Sequence, residues 1–196
     1  MQFVRYLPLA AQRYGTLILI CPAALRPPLA MLQDVAQIRE AGTITAAEFD
    51  ICLPLLSLPR VFGTTLVTIP AAVPYRDVAA IRRQDPTALP QLVGSAVPKV
   101  GLVWVDRPTH PHDRQRSCAL WGWVRVLQTP GIAWSSLQTG DQRQELAQLP
   151  PDILIQDLAP FLHDFGDKAL LLDQLDLVIT VDTEVAHMAG AIDKSV

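Results

Sequence analysis

LDLVITVDTEVAHMAGAIDK, residues Leu175 to Lys194, is the stretch of sequence that decides the fold. Leu177 to Val181 are apolar apart from Thr180, which is typical of a strand buried inside a parallel sheet. The residues from Glu184 to Ala189 then predict a helix that is closed by Gly190. A buried strand followed directly by a helix indicates an α/β fold with a parallel sheet.

The junction between this strand and helix carries three polar side chains, Asp182, Thr183 and His187. Open α/β sheets bind nucleotides and phosphates at such junctions, because free N–H groups and the helix dipole favour negative charge. His187 follows Thr183 by one helical turn, so both can face one ligand. The alternatives are that Asp182 and Thr183 only cap the helix and that His187 packs on it.

Composition limits the possible functions. The chain has 196 residues, half of them apolar, which suffices for one large or two small domains. Its net charge of −3 argues against a nucleic-acid surface. No apolar run approaches the ~20 residues of a membrane span. Cys21, Cys52 and Cys118 are odd in number and widely spaced, which predicts reduced thiols and a cytoplasmic location.

The first half of the chain is the less regular one. It predicts a helix from Gln2 to about Tyr14, a strand at Thr16 to Cys21, a helical segment across Ala24 to Met31 and a short strand at Phe49 to Leu53. Residues 86–98 are rich in proline and small residues, which is typical of a linker. We therefore expect two domains, residues 1–95 and 96–196.

The second half alternates strands and helices with short loops, which predicts a doubly wound parallel sheet. The predicted strands are Val100–Val105, Ile132–Ser136, Ile153–Gln156 and Leu177–Val181, and the helices are Ala119–Leu127, Gln142–Leu149 and Lys168–Gln174. Right-handed crossovers bring the loops that begin at Asp106, Leu137, Asp157 and Asp182 to one edge of the sheet. Their polar side chains should meet in one crevice.

Two of these loops carry groups suited to a nucleotide. The first contains Arg107, Arg114 and Arg116, and guanidinium groups bind a diphosphate through paired hydrogen bonds. Ser117, which follows them, is a plausible helix N-cap, although a solvated basic loop with an ordinary cap is an equal alternative. In the second loop Gln138 can donate and accept, so it could bind a base or a ribose.

The first loop also contains His110, His112 and Asp113. Such residues can bind a metal ion. The histidines are flanked by prolines and no helix supplies an obvious third ligand, so we predict no metal site.

Taken together, these segments resemble the catalytic region of bacterial glycosyltransferases of the heptosyltransferase-like kind, family 9, especially the version found behind tetratricopeptide repeats. The resemblance covers nearly the whole chain, and its last segment is the most specific. The matching segments, in the family's order, are QFVRYLPLAAQRYG, LPLLSLPRVFGTT, TIPAAVPY, KVGLVW, DRQRS, SLQTG and LDLVITVDTEVAHMAGA.

The resemblance implies a GT-B-like fold, in which two Rossmann-like domains face each other across a cleft. It implies a nucleotide-sugar donor held mainly by the second domain, and an acceptor hydroxyl whose identity is unknown. Asp182, Thr183 and His187 match the family's donor-binding junction. Arg116 and Ser117 match a basic segment facing the donor phosphates, and Gln138 falls in the SLQ turn; no metal or other cofactor is implied.

The chain also departs from the family pattern. Members usually begin with a strand and a Gly-Asp loop ahead of QFVRYLP, and that loop is where a catalytic carboxylate is expected, so no catalytic residue can be named. The family's Trp-Ala-Gly-Asn turn reads Trp104-Val105-Asp106-Arg107, and its SLQ-Lys-Gly reads SLQ-Thr139-Gly. The family's elements beyond Val196 are also missing, so we expect truncation at both ends and two incomplete domains.

The leading hypothesis is a glycosyltransferase-like protein that retains a donor half-site. This truncated chain could bind the donor with or without catalytic activity. Missing strands would leave sheet edges uncovered, through which the chain could form oligomers. The alternatives are a degenerate, non-catalytic α/β module kept for protein association, and a complete small nucleotide-binding protein.

Overall fold

The described part of the chain folds into α/β structure with two parallel sheets. The structure is a computed structural model that describes residues 2–29, 32, 34–72, 78, 89–92, 96–106 and 117–196. Every strand pair within these residues is parallel, as the sequence predicts.

The smaller sheet has two strands, β1 (Ile18–Ile20) and β2 (Gln37–Arg39). Helix α1 (Leu7–Tyr14) follows a 3-10 helix at Gln2–Tyr6. Pro8 lies in the first turn of α1, where its missing N–H costs nothing. The next elements are a 3-10 helix at Ala23–Leu25, α2 (Arg26–Leu29), 3-10 helices at Ala46–Glu48 and Leu55–Ser57, and α3 (Leu58–Val61). The core of this half contains Val4, Tyr6, Leu7, Cys21, Leu29 and Leu58.

The larger sheet contains β3 (Lys99–Val103), β4 (Ala133–Ser136), β5 (Ile155–Asp157) and β6 (Leu177–Thr180), in the order β5-β4-β3-β6. The chain moves outward from β3 through β4 to β5, and β6 then pairs on the opposite side of β3. This reversal places a topological switch point between β3 and β6.

Helices cover both faces of the larger sheet. They are α4 (Val124–Leu127), α5 (Phe165–Asp173) and α6 (Glu184–Ala191), with 3-10 helices at Leu120–Trp123, Asp141–Gln148 and Ala159–Phe161. One core cluster joins Val103 to α5 and α6, and the other joins Leu102 and Trp104 to Leu120 and Leu127. Alternate residues of β3 thus enter opposite cores, as in a doubly wound sheet. None of the helices in the described part of the chain is both long and apolar enough to traverse a bilayer.

Several predicted elements differ from the structure. Gly190 does not close α6, which continues to Ala191 and is capped by Ile192. The predicted strand at Phe49–Leu53 is wrong, because these residues form no strand, and β2 was not predicted at all. The region across Asp141–Gln148 is a 3-10 helix rather than an α-helix. The two sheets lie on either side of the predicted boundary at residue 95, and the boundary itself stays a prediction.

Replacing Gly101 with alanine should destabilise the protein. An added Cβ would lie 2.5 Å from Leu175 Cδ1 and 3.0 Å from Leu137 Cδ1, and both leucines are buried. We expect Gly101→Ala to lower the free energy of unfolding by ~1–3 kcal/mol through overpacking. Gly190→Ala is the control, since no atom lies within 4 Å of its added Cβ and it should stabilise helix α6 by ~0.5–1 kcal/mol. Equal shifts in urea denaturation would contradict this account.

The three thiols should react at different rates. Burial raises the pKa of Cys21, whereas Cys52 and Cys118 are exposed. A raised pKa leaves less thiolate at a given pH, and thiolate is the reactive form. Iodoacetamide at pH 8 should therefore alkylate Cys52 and Cys118 before Cys21, as peptide mass spectrometry would reveal. Faster labelling of Cys21 in the native protein would contradict the packing.

Candidate functional site

A crevice of about 120 Å³ lies at the carboxyl ends of the central strands of the larger sheet. Its lining comes from the segments that follow β3, β4 and β6, together with one side chain of α5. The convergence predicted for these loops therefore holds for the three loops that begin at Asp106, Leu137 and Asp182, and not for the loop that begins at Asp157. Asp157 and Asp182 do not line the crevice. The position matches the general rule that ligands of open α/β sheets bind at the switch point.

Gln138 lies at the floor of this crevice, and its amide is fully engaged. Its Oε1 accepts hydrogen bonds from the backbone N–H groups of Trp104 at 3.1 Å and Val105 at 3.0 Å. Its Nε2 donates to the carbonyl oxygens of Val105 and Thr139, each at 3.1 Å. The side chain is buried, so Gln138 joins the end of β4 to the end of β3. Its geometry is that of a positioning residue.

Thr183 is the N-cap of α6 and lines the crevice. Its Oγ1 accepts a hydrogen bond from the backbone N–H of Val185 at 3.2 Å. The hydroxyl of Thr180 lies 2.9 Å from the same oxygen, and it donates at 2.8 Å to the carbonyl oxygen of Val181. Thr183 is thus a buried cap held by both its strand and its helix.

Lys168 and Glu184 form an ion pair inside the crevice. Lys168 Nζ lies 2.7 Å from Glu184 Oε1 and 5.0 Å from the centroid of the Phe165 ring. The side chains are 15% and 30% exposed, so solvent screens this pair less than a surface pair. Glu184 occupies the first turn of α6, where the helix dipole favours a carboxylate. A lysine therefore faces the space beside a helix N-terminus.

The other predicted site residues lie differently. Asp182 is exposed at the turn before α6, and His187 is half-buried one turn along the helix; neither lines the crevice. Arg116 lies outside the described residues, as do His110, His112 and Asp113. Their predicted roles stay predictions.

Ser117 does not cap a helix. The following 3-10 helix begins at Leu120, and its N-cap residue Ala119 makes no side-chain cap bond. Ser117 Oγ instead accepts a hydrogen bond at 3.1 Å from the backbone N–H of Asp106. The serine therefore closes the loop between β3 and this helix at its base, beside the crevice.

Sequence reasoning missed Lys168 and Glu184 as site residues. The first-turn position of Glu184 was a usable signal, because acidic residues are favoured there. No local signal marked Lys168, which is brought to the crevice by the packing of α5 beside α6.

The α/β fold is similar to the GT-B-like fold of a known heptosyltransferase. The structure is similar to that of E. coli ADP-heptose LPS heptosyltransferase II, with a TM-score of 0.60 over 98% of this chain and 78% of that chain. Sequence identity over the match is 14%, so this likeness concerns the fold. It confirms the predicted α/β architecture with parallel sheets.

A second relative is found by sequence. An alignment over 99 residues, which covers 48% of this chain, shows 30% identity to Protein FlbA of Caulobacter vibrioides. The match spans 17% of the length of FlbA, so the chain is similar to a minor part of that protein. No protein-family profile matches the chain.

Replacing Gln138 with leucine should destabilise the sheet. The substitution leaves the buried N–H groups of Trp104 and Val105 without acceptors, and we expect a loss of ~2–4 kcal/mol in the free energy of unfolding. Gln142→Leu makes the same chemical change at a half-buried position in the same crevice, and should shift stability by less than about 1 kcal/mol. Thermal melts of the two variants provide the comparison, and equal melting temperatures would refute the joining role.

Proposed function

We propose that the chain is a glycosyltransferase-like protein that binds a nucleotide-sugar donor in the switch-point crevice. The observation that carries the proposal is the meeting of Lys168 with the N-terminus of α6 at the carboxyl ends of β3 and β6. The similarity to a protein named for ADP-heptose favours an ADP-sugar among possible donors.

The electrostatics of the crevice suit a diphosphate. The N-terminus of α6 offers the positive end of the helix dipole and those first-turn N–H groups that the Thr183 cap does not already bind. Lys168 adds a formal positive charge, and Glu184 balances it when no ligand is present. A bound diphosphate would compete with Glu184 for the ammonium group, and the partial burial of Lys168 strengthens this attraction. The sequence position at which the resembling family carries a lysine is Thr139 here, so Lys168 can supply the missing cation from another element.

The remaining predicted residues take roles within this proposal. Thr183 faces the ligand as the cap of α6, while Asp182 and His187 would contact parts of the donor that extend beyond the crevice. Ser117 and Arg116 would border the donor phosphates. We assign Gln138 the positioning of the β3 and β4 ends rather than direct binding, because its amide is already satisfied.

Transfer would proceed by attack of an acceptor hydroxyl oxygen on the anomeric carbon of the donor sugar. The bond from that carbon to the diphosphate oxygen breaks, and the nucleoside diphosphate leaves with the electron pair. Lys168 and the helix N-terminus would stabilise the developing charge on this leaving group. The acceptor proton passes to a general base that we do not name.

Calorimetric titration with ADP-, UDP- and GDP-sugars tests donor binding. We expect an ADP-sugar to bind and Lys168→Met to weaken binding about tenfold, the loss of one charge-assisted hydrogen bond. Lys168→Arg should retain most of the affinity. Arg143→Met is the matched control, since Arg143 pairs with Asp157 and does not line the crevice.

Two results would overturn the proposal. The first is the absence of binding by every member of the panel to a folded chain. The second is binding that Lys168→Met and Asp182→Ala leave unchanged, since the nucleotide would then lie elsewhere on the protein.

A further inference from the structure

A second and larger cavity, of about 810 Å³, lies beside the smaller sheet. It is lined by β1, by the inner side of α1 and by residues 44–55. Its walls are mainly apolar, and several of their side chains are exposed: Ile20 by 41%, Phe49 by 37%, Ile51 by 62% and Leu53 by 44%. This cavity is separate from the crevice at the larger sheet, with which it shares no lining residue.

Within the part of the chain that the structure describes, one edge of β1 has no strand partner, and the cavity lies beside β1. The odd-numbered residues bond to β2: Gln37 N–H donates to the Leu17 carbonyl at 3.4 Å, and Cys21 N–H donates to the Arg39 carbonyl at 3.0 Å. Since N–H and C=O groups alternate between the two edges of a strand, those of Ile18 and Ile20 point away from β2. Within the described residues no third strand pairs there, and no residue of β2 lines the cavity.

An extended strand is the occupant that fits this combination. Backbone donors and acceptors spaced two residues apart match the edge of another strand, while the apolar walls match alternate side chains. Two-stranded sheets are marginal by themselves, and a third strand would stabilise this one. The charged side chains in the lining are Glu48 and Asp50, and Glu48 is already paired with Arg39 at 3.5 Å. A basic residue on the incoming segment would therefore be complementary to Asp50.

We propose that this groove binds an extended, apolar segment of a partner protein as a third strand beside β1, with a basic residue of that segment near Asp50. The backbone of Ile18 and Ile20 gives affinity, and the apolar side chains of Phe49, Ile51 and Leu53 cover the bound segment. The proposal is independent of donor binding, because it uses a different sheet.

The test uses a fluorescein-labelled peptide, Lys-Val-Thr-Val-Thr-Val-Thr-Val-Lys, titrated with the full chain and followed by anisotropy. Saturable binding is expected. Ile20→Pro removes the N–H that faces the groove and leaves the bonds of β1 to β2 intact, so it should weaken binding about tenfold. Ile20→Val keeps the donor and an apolar side chain, and should bind within about twofold of wild type.

A charge reversal gives a second readout that does not depend on proline. Asp50→Lys should weaken the binding of the lysine-flanked peptide and strengthen the binding of a version flanked by glutamate. Binding that neither Ile20→Pro nor Asp50→Lys changes would overturn the proposal, as would a lack of binding to the folded wild-type chain. A dimer in analytical ultracentrifugation that Ile20→Pro dissociates, without peptide binding, would overturn it in favour of a second copy of this chain.

Discussion

A buried glutamine amide holds the floor of the crevice together. The side-chain oxygen of Gln138 accepts hydrogen bonds from the N–H groups of Trp104 and Val105, just after β3. Its NH2 group donates to the carbonyl oxygens of Val105 and Thr139. Parallel strands end with backbone groups that water would otherwise have to satisfy, and here a side chain does so in the interior. This contact links β3 and β4 at their carboxyl ends, and the crevice is lined by the segments that follow these strands and β6, together with Lys168 of α5.

The sequence predicted the four strands of the larger sheet because β3 and β6 are mainly apolar and because strands and helices alternate along this half of the chain. Leu177–Thr180 is recognisable on that ground, whereas the order of the strands was not predicted from the sequence. The smaller sheet was harder, because β2 reads Gln-Ile-Arg and lacks any apolar pattern. The residues Phe49–Leu53 were wrongly predicted as a strand because they are mostly apolar. In the structure these residues line a cavity and form no strand.

Site residues with a local sequence signal could be predicted, and those brought together by packing could not. Thr183 could be found from the sequence, because a threonine between a buried strand and a helix is a local signal for a cap. Lys168 and Glu184 are 16 residues apart, and only the packing of α5 beside α6 makes them a pair. Ser117 had the right local pattern for a cap, but a tertiary contact with Asp106 uses its hydroxyl.

The hydrogen bond between the hydroxyl groups of Thr180 and Thr183 determines which kind of ligand group Thr183 can bind. Each threonine hydroxyl carries a single proton. The hydroxyl of Thr180 donates its proton to the Val181 carbonyl oxygen. In the contact between the two threonine hydroxyl groups, Thr183 must therefore be the donor and Thr180 the acceptor. Thr183 also receives the N–H of Val185, and its oxygen can therefore only accept from a ligand. The lone pair of Thr183 Oγ1 would repel a phosphate oxygen, whereas it would accept a hydrogen bond from a sugar hydroxyl. A nucleotide sugar bound as proposed would therefore place its anionic groups near Lys168 and a hydroxyl group near Thr183, which would favour one orientation in the crevice.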